Sequence, residues 1–99
     1  MFARMVSAQV KSDKQDEVVR IWKEKDIPLM KDVKGYRGAY LLSDRKAGRG
    51  ISMTLWDSEE DAIADEQSAL HQKQVNMYEG LFTGEITHQR YEISARDKI

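Results

Sequence analysis

The sequence predicts an α+β domain of the ferredoxin-like type, βαββαβ, in which one antiparallel sheet carries two helices on one face. Three observations support this fold class. The chain has 99 residues, close to the usual size of a single core, so residues 1–99 are expected to form one domain. Four segments alternate apolar and polar side chains, as strands do. Two others repeat apolar side chains at helical spacing, and each connects strands that a right-handed crossover would join.

The first strand and the start of the first helix are predicted near the N-terminus. Phe2–Val10 alternates with apolar side chains on both faces, which is typical of a central strand with the third strand beside it. Ser12 and Gln15 form a Ser-x-x-Gln capping box, so the helix is expected to begin there.

The first helix is expected to break near Pro28. Proline lacks a backbone donor and clashes with the preceding turn. Asp26 lies two residues earlier, in the middle of the apolar arc, and is expected to cap a second helical piece or, as the alternative, to line a pocket under the helices. That piece should end near Gly35, because glycine readily takes the left-handed conformation.

The remaining strands follow from alternation and from turn residues. Tyr36–Ser43 and Ile51–Trp56 are predicted to form a hairpin around a loop rich in charge and glycine. Glu85–Ser94 is predicted to be the last strand.

Ser58, with Asp61 three residues later, predicts the cap of the second helix. That helix carries two separate apolar stripes, so it either contacts two surfaces or is broken near Ser68.

One face of the predicted sheet has no helix to cover it. We expect that face to present Phe2, Arg4 and Val6 with alternate residues of the other strands. For about 100 residues the simplest cover is the same face of a second copy, so a homodimer is predicted.

Several classes of function are excluded by residues that the sequence lacks. Without cysteine there is no disulfide framework and no thiolate nucleophile, which suits a reducing cytoplasm. The two histidines, His71 and His88, lie on different elements without metal-ligand spacing, so no metal site is expected. No glycine-rich nucleotide motif is present, and no cofactor is expected. The longest apolar run, Ala39–Leu42, is too short to span a membrane, and no leader is expected before the first strand.

RNA-recognition domains share this order of elements, so their stacking motif is the relevant comparison for the third strand. Arg49–Trp56 lacks both central aromatic residues of that motif, and therefore offers bases no platform. The start of the second helix adds six acidic residues without a base among them, from Asp57 to Glu66. Nucleic-acid binding is therefore not expected.

A cavity between sheet and helices is predicted from soft and aromatic side chains that would meet there. The candidates for binding a flat apolar ligand are Trp22, Met53 and Trp56, together with Met5, Met30 and Met77. Each has a structural alternative, since methionine fills irregular cores and Trp56 could equally be a packing anchor at the end of its strand.

His71 and Tyr78 are the candidate catalytic residues. Both belong to the second helical segment, where they can lie at a pocket mouth, at a subunit interface or on the helix surface. Arg4, on a central strand, is expected to be a paired internal charge rather than a substrate clamp, because an unpaired buried charge is costly.

Two segments resemble the antibiotic biosynthesis monooxygenase-like proteins. Val33–Tyr40 resembles the Gly-aromatic-x-Gly entry to their second strand, and Leu55–Ala62 resembles the Trp-x-Ser-x-Glu exit from their third. The resemblance implies a dimeric α/β barrel, with a pocket between the sheet and the helices of each protomer. Relatives include cofactor-independent oxygenases of polycyclic aromatic substrates and haem-degrading enzymes.

The residues that match the family's catalytic sets decide between these activities. Haem-degrading relatives use an asparagine on the first strand and a tryptophan and a histidine on the second helix. Here Ser7 stands at the first of these positions, His71 matches loosely and the helix has no tryptophan, which disfavours haem degradation. The quinone-forming oxygenases use an Asn/Trp/Tyr set, of which Asn76 and Tyr78 are present.

The hypothesis from sequence is a cytoplasmic homodimer that binds a small aromatic molecule, with cofactor-independent oxygenation as its activity. The alternative is a non-catalytic ligand-binding or scaffolding dimer.

Overall fold

The computed structural model describes residues 1–98, which fold into one antiparallel sheet with helices on one side. The strands are β1 (Phe2–Val10), β2 (Tyr36–Asp44), β3 (Arg49–Trp56) and β4 (Phe82–Glu92). Their spatial order is β2-β3-β1-β4, so β1 is central and has β3 beside it. The predicted ferredoxin-like α+β fold is confirmed.

The segment between β1 and β2 is helical in three successive geometries: α1 (Gln15–Ile21), a π-helix (Trp22–Asp26) and a 3₁₀ helix (Ile27–Met30). Pro28 lies in the first turn of the 3₁₀ helix, which confirms the predicted break. The predicted cap is wrong: Asp26 precedes the 3₁₀ helix, but its side chain accepts a hydrogen bond from Tyr78 instead. The helical segment also ends five residues before Gly35.

The predicted cap at Ser12 is also wrong. α1 begins after Lys14, whose position carries no side-chain cap. Gln15 cannot complete a capping box because its Nε2 donates to the Arg45 carbonyl oxygen at 3.1 Å. A contact with the distant hairpin therefore replaces the local one.

The segment between β3 and β4 contains two helices, α2 (Glu59–Glu66) and α3 (Ala69–Asn76). Ser58 Oγ accepts from the Asp61 amide at 3.2 Å, which confirms the predicted cap. Ser68 Oγ donates to the Asp65 carbonyl oxygen and accepts from the His71 amide, so one side chain ends α2 and starts α3. The interruption near Ser68 is confirmed. No helix of residues 1–98 is long and apolar enough to cross a membrane.

β4 begins and ends earlier than the predicted Glu85–Ser94. Gly84 has a φ of 76°, and the β1–β4 register shifts between Ser7 and Gln9. This irregularity interrupts the alternation of side chains, which is why the sequence pattern missed the first residues of the strand.

The two faces of the sheet are the reverse of those expected. Arg4 is 3% exposed, and its Nη1 donates to the Ala62 carbonyl oxygen and to Asp65 on α2. The expectation that Phe2, Arg4 and Val6 face away from the helices is therefore wrong, because the buried guanidinium finds its acceptors on α2. The open face presents the alternate side chains, among them Ala3, Met5, Tyr40, Leu42, Ile51 and Met53.

Gly35 enters β2 in a conformation that few other residues adopt. Its φ is 81°, and its carbonyl oxygen accepts from the Asp57 amide at 2.8 Å. A Cβ at this position would lie 2.6 Å from the Asp61 Cβ. Both the backbone angle and the close approach of α2 therefore require glycine.

Gly35→Ala should lower the free energy of unfolding by more than Gly80→Ala does. Gly80 has a φ of 82° and no atom within 4 Å of an added Cβ, so its substitution carries only the backbone penalty. That penalty is about 1–2 kcal/mol. Gly35→Ala carries the same penalty and must also displace Asp61. Urea denaturation of both variants measures the difference, and equal losses would contradict the close packing of α2 on Gly35.

Candidate functional site

A cavity of about 80 Å³ lies between the sheet and the helices and is partly open to solvent. Val6 and Ser52 line it from the sheet, and Trp22, His71 and Tyr78 line it from the helical segments. Most of the lining side chains are apolar. An engineered apolar cavity of about 150 Å³ holds benzene, so this one encloses a group smaller than a ring, or a ring in part.

The π-helix brings Trp22 and Asp26 to the same cavity. Residues four apart lie on one face of this helix, as they do on an α-helix. Trp22 Nε1 donates to Ser52 Oγ at 2.9 Å, which ties the helix to β3. This spacing and this hydrogen bond place a carboxylate and an indole ring on one wall of the cavity.

Asp26 is a buried carboxylate held by neutral hydrogen-bond donors. The Tyr78 hydroxyl donates to Oδ2 of the Asp26 side chain at 2.5 Å, and Gln74 Nε2 donates to the backbone carbonyl oxygen of Asp26 at 3.3 Å. Burial raises the pKa of Asp26, and the hydrogen bonds from Tyr78 and Gln74 and the charge of Arg4 offset this only in part. Burial also raises the pKa of Tyr78, whose hydroxyl therefore stays protonated.

Arg4 and Asp65 form an ion pair below the cavity. Arg4 Nη1 lies 2.8 Å from Asp65 Oδ2, and the two side chains are 3% and 1% exposed. The Trp56 ring lies against the guanidinium, with its centre 5.0 Å from Cζ. Asp65 thus neutralises the charge of Arg4.

His71 lies between the cavity and the exposed surface of β4. Its Nε2 lies 3.2 Å from Nε2 of the exposed His88, and its Nδ1 lies 3.7 Å from Asp65 Oδ2. Burial and the charge of Arg4 lower the pKa of His71, so the imidazole is neutral at pH 7. In the tautomer with its proton on Nε2, the Nε2–H donates to His88 and Nδ1 is an acceptor.

The structure brings together four of the candidates from sequence: Trp22, Met30, His71 and Tyr78 all line the cavity. The first two come from the segment between β1 and β2, and the last two from the segment between β3 and β4. Met77 packs instead against the apolar cluster next to the cavity.

Met53 and Trp56 lie outside the cavity lining. Met53 sits between Ser52 and Thr54, whose side chains face the cavity, so its own side chain points to the open face. Trp56 is fully buried, and its Nε1 donates to Thr54 Oγ1 at 2.8 Å. Its position is that of a packing anchor under Arg4.

Sequence reasoning gave Asp26 a place in the pocket only as the alternative to a helix cap, and gave Gln74 no role. The signal for Asp26 was a carboxylate in the middle of an apolar arc. Gln74 lies three residues after His71 and four before Tyr78, a spacing that places all three on one helix face.

Asp26→Asn should raise the free energy of unfolding at pH 7. Because the pKa of Asp26 is raised in the folded protein, the native state holds this proton more tightly than the unfolded chain does. Stability is therefore lost as the pH rises from the usual value of 3.8 through the raised pKa. Asparagine accepts from Tyr78 without carrying the charge.

Thermal unfolding between about pH 3 and pH 8 checks this prediction. The advantage of Asp26→Asn should vanish at the acid end and grow with pH. A variant that is less stable than wild type at neutral pH would contradict it.

Comparison with known proteins gives a family and a fold. The family model described as antibiotic biosynthesis monooxygenase matches residues 1–76. No curated protein matches the chain.

Solved structures share the fold over nearly the whole chain. The haem-degrading protein MhuD from Mycobacterium tuberculosis, which has two haems bound in its active site, has a TM-score of 0.78 at 15% identity, covering 99% of this chain and 100% of its own. The NE2512 protein of unknown function from Nitrosomonas europaea also has a TM-score of 0.78, at 12% identity, with coverage of 99% and 93%. An antibiotic biosynthesis monooxygenase has a TM-score of 0.74 at 12% identity, with coverage of 96% and 100%.

Identities this low show likeness of fold alone. The family model, in contrast, matches 76 of the 99 residues, from the start of β1 to the end of α3. The chain therefore belongs to the antibiotic biosynthesis monooxygenase family.

Proposed function

We propose that the cavity binds a hydroxylated aromatic small molecule and supports its oxidation by O₂ without a cofactor. The observation that carries this proposal is a partly open apolar cavity whose wall includes the neutral imidazole of His71 and the hydroxyl-bearing Tyr78. Membership of a family described as monooxygenases gives the reaction class. The proposal keeps the cytoplasmic location predicted from sequence.

His71 supplies the proton acceptor. Because its pKa is lowered by burial, it stays neutral at pH 7 and accepts the proton of a phenolic hydroxyl at Nδ1. The resulting phenolate is rich in electrons and passes them to O₂. For a ring methylene the balance is R₂CH₂ + O₂ → R₂C=O + H₂O, so the substrate supplies every electron.

Asp65 favours the positive charge that His71 gains, although burial and Arg4 lower the pKa of the imidazole overall. Asp65 Oδ2 lies 3.7 Å from Nδ1, which favours an imidazolium. His88, 3.2 Å from Nε2 and exposed, can take the second proton to solvent. The proton therefore enters at one nitrogen and leaves at the other.

Tyr78 and Trp22 position the ligand. The Tyr78 hydroxyl donates its hydrogen to Asp26, so its oxygen is left to accept from a second hydroxyl of the ligand. The Trp22 indole is fixed by Ser52 and forms an apolar wall that excludes water from the reacting ring.

The alternative, a non-catalytic binding or scaffolding dimer, would be favoured by a cavity filled with tryptophan and methionine. Trp22 is instead held against Ser52, and Met53 lies on the opposite face of the sheet. The cavity beside Trp22 and Met30 stays open, and polar groups converge on it. These features favour a catalytic function for the cavity over non-catalytic binding.

The residues present do not fit a haem. A haem would have to bring its whole macrocycle between the sheet and the helices, where the enclosed space is about 80 Å³. A hydroxylated aromatic need bring only its hydroxyl-bearing edge into that space and leave its rings at the partly open side. No haem chemistry is therefore proposed.

The open face of the sheet supports the predicted homodimer. Tyr40 and Leu42 are 43% and 42% exposed, although both are large and apolar. They pair across the strands with Met53 and Ile51, so the apolar surface is continuous. A second copy would cover it with the same face, forming a dimeric α/β barrel whose two cavities lie on the far sides of the sheets.

Wild-type protein should consume O₂ with hydroxylated aromatics of one to three rings, and His71→Gln should lower kcat by about 10²–10⁴-fold. Glutamine keeps the polar side chain but cannot act as a base at neutral pH. Because the pKa of His71 is lowered, the wild-type rate should hold at pH values below 6.5 before it falls. An oxygen electrode measures both effects.

Lys73→Ala, on the exposed side of α3, is the control and should leave the rate unchanged. An unchanged rate in His71→Gln, or no O₂ uptake by wild type across the panel, would contradict the proposed function.

Leu42→Lys should shift the protein from dimer to monomer at micromolar concentration. The substitution places a charge on the apolar open face, on the edge strand β2, where it has no partner in the proposed interface. Leu29→Lys is a matched control, because Leu29 is 37% exposed but lies on the 3₁₀ helix. Sedimentation of the three proteins decides: a monomeric wild type, or equal effects of the two substitutions, would contradict this interface.

A further inference from the structure

In the proposed oxidation the Asp26 carboxylate serves only as the acceptor for the Tyr78 hydroxyl and does not touch the substrate. This group is buried in the wall of the cavity, and no Lys, Arg or His among residues 1–98 forms an ion pair with it. The nearest structural candidate for a counter-charge is Arg4, which already pairs with Asp65 at 2.8 Å. A buried carboxylate held only by neutral donors is costly to the fold.

Aromatic side chains share the cavity with this carboxylate. The Tyr78 ring stacks on Phe82, with centres 5.3 Å apart and planes 13° apart, and Trp22 lines the same space. Ring faces carry partial negative charge and attract cations. Asp26 and the rings beside it therefore offer the same electrostatic preference, for positive charge.

We propose that the cavity is a recognition site for a protonated amine, in which the ammonium group of an arylalkylamine pairs with Asp26 beside Trp22 and Tyr78. The cavity of about 80 Å³ encloses the ammonium group and its first carbons, and the aromatic ring lies at the partly open side. This inference rests on the proposed function only in taking the cavity as the ligand site.

The geometry disfavours the opposite charge. An anionic ligand at this wall would meet the Asp26 carboxylate. Arg4 also lines the cavity, with a buried Nε that has no hydrogen-bond partner, but its charge is paired with that of Asp65. A neutral alcohol would gain a hydrogen bond at Asp26 but no pairing of charge. The ligand class is therefore distinguishable by three probes of nearly equal shape: benzylammonium, benzyl alcohol and benzoate.

Titration calorimetry at pH 7 with these probes tests the proposal. Wild type should bind benzylammonium about tenfold or more tightly than benzyl alcohol, since bonds to charged groups exceed those to neutral ones, and should bind benzoate least. Asp26→Asn should bind benzylammonium no better than the alcohol. Glu60→Gln removes an exposed acid on α2 and serves as the matched control, with the preference retained.

The proposal would be overturned by equal affinity of wild type for the ammonium and the alcohol. It would also be overturned by a preference for the ammonium that survives in Asp26→Asn. Loss of the preference in Glu60→Gln would also overturn it, because binding would then be a surface effect. Phenol oxidation that fails while the Asp26-dependent preference holds overturns only the proposed function. Oxidation that proceeds without any ammonium preference overturns only this inference.

Discussion

The buried ion pair between Arg4 and Asp65 organises this molecule. It joins the central strand to the end of α2 in a place where both side chains are almost fully enclosed. Removing one partner of such a pair typically costs about 3–5 kcal/mol, because the other charge is left without compensation. The pair also orders the start of α3: the Asp65 carbonyl oxygen accepts from Ser68, which caps that helix, and the Asp65 carboxylate lies beside His71. The position of the imidazole in the cavity thus depends on an arginine in the first strand.

The sequence was sufficient for the architecture because the signals of the fold are local. Alternation in β1, the Ser58 cap and the interruption at Ser68 each reflect contacts within a few residues. The errors arose where a distant contact replaced a local one. Gln15 bonds to the hairpin rather than to its own helix, and Asp26 bonds to Tyr78 across the cavity.

The candidate site was predictable only in part for the same reason. Trp22, His71 and Tyr78 could be singled out because their residue types carry chemistry. The face of the sheet that these three residues meet could not be predicted, because β1 is partly apolar on both faces. The buried charge of Arg4 decides this question, and its acceptors on α2 are remote in the chain. Met53 lies on the face of the sheet opposite Arg4, and therefore outside the cavity.

The family model ends at residue 76, whereas the cavity does not. Tyr78, Phe82 and Ile86 complete its wall, and His88 completes the path from His71 to solvent. Residues 1–76 thus supply most of the wall, and a turn and the edge strand β4 supply the rest. Backbone hydrogen bonds hold β4 to β1, and these do not depend on the side chains of β4. Substitutions in this C-terminal wall would therefore alter the shape of the cavity while the central strand keeps its ion pair.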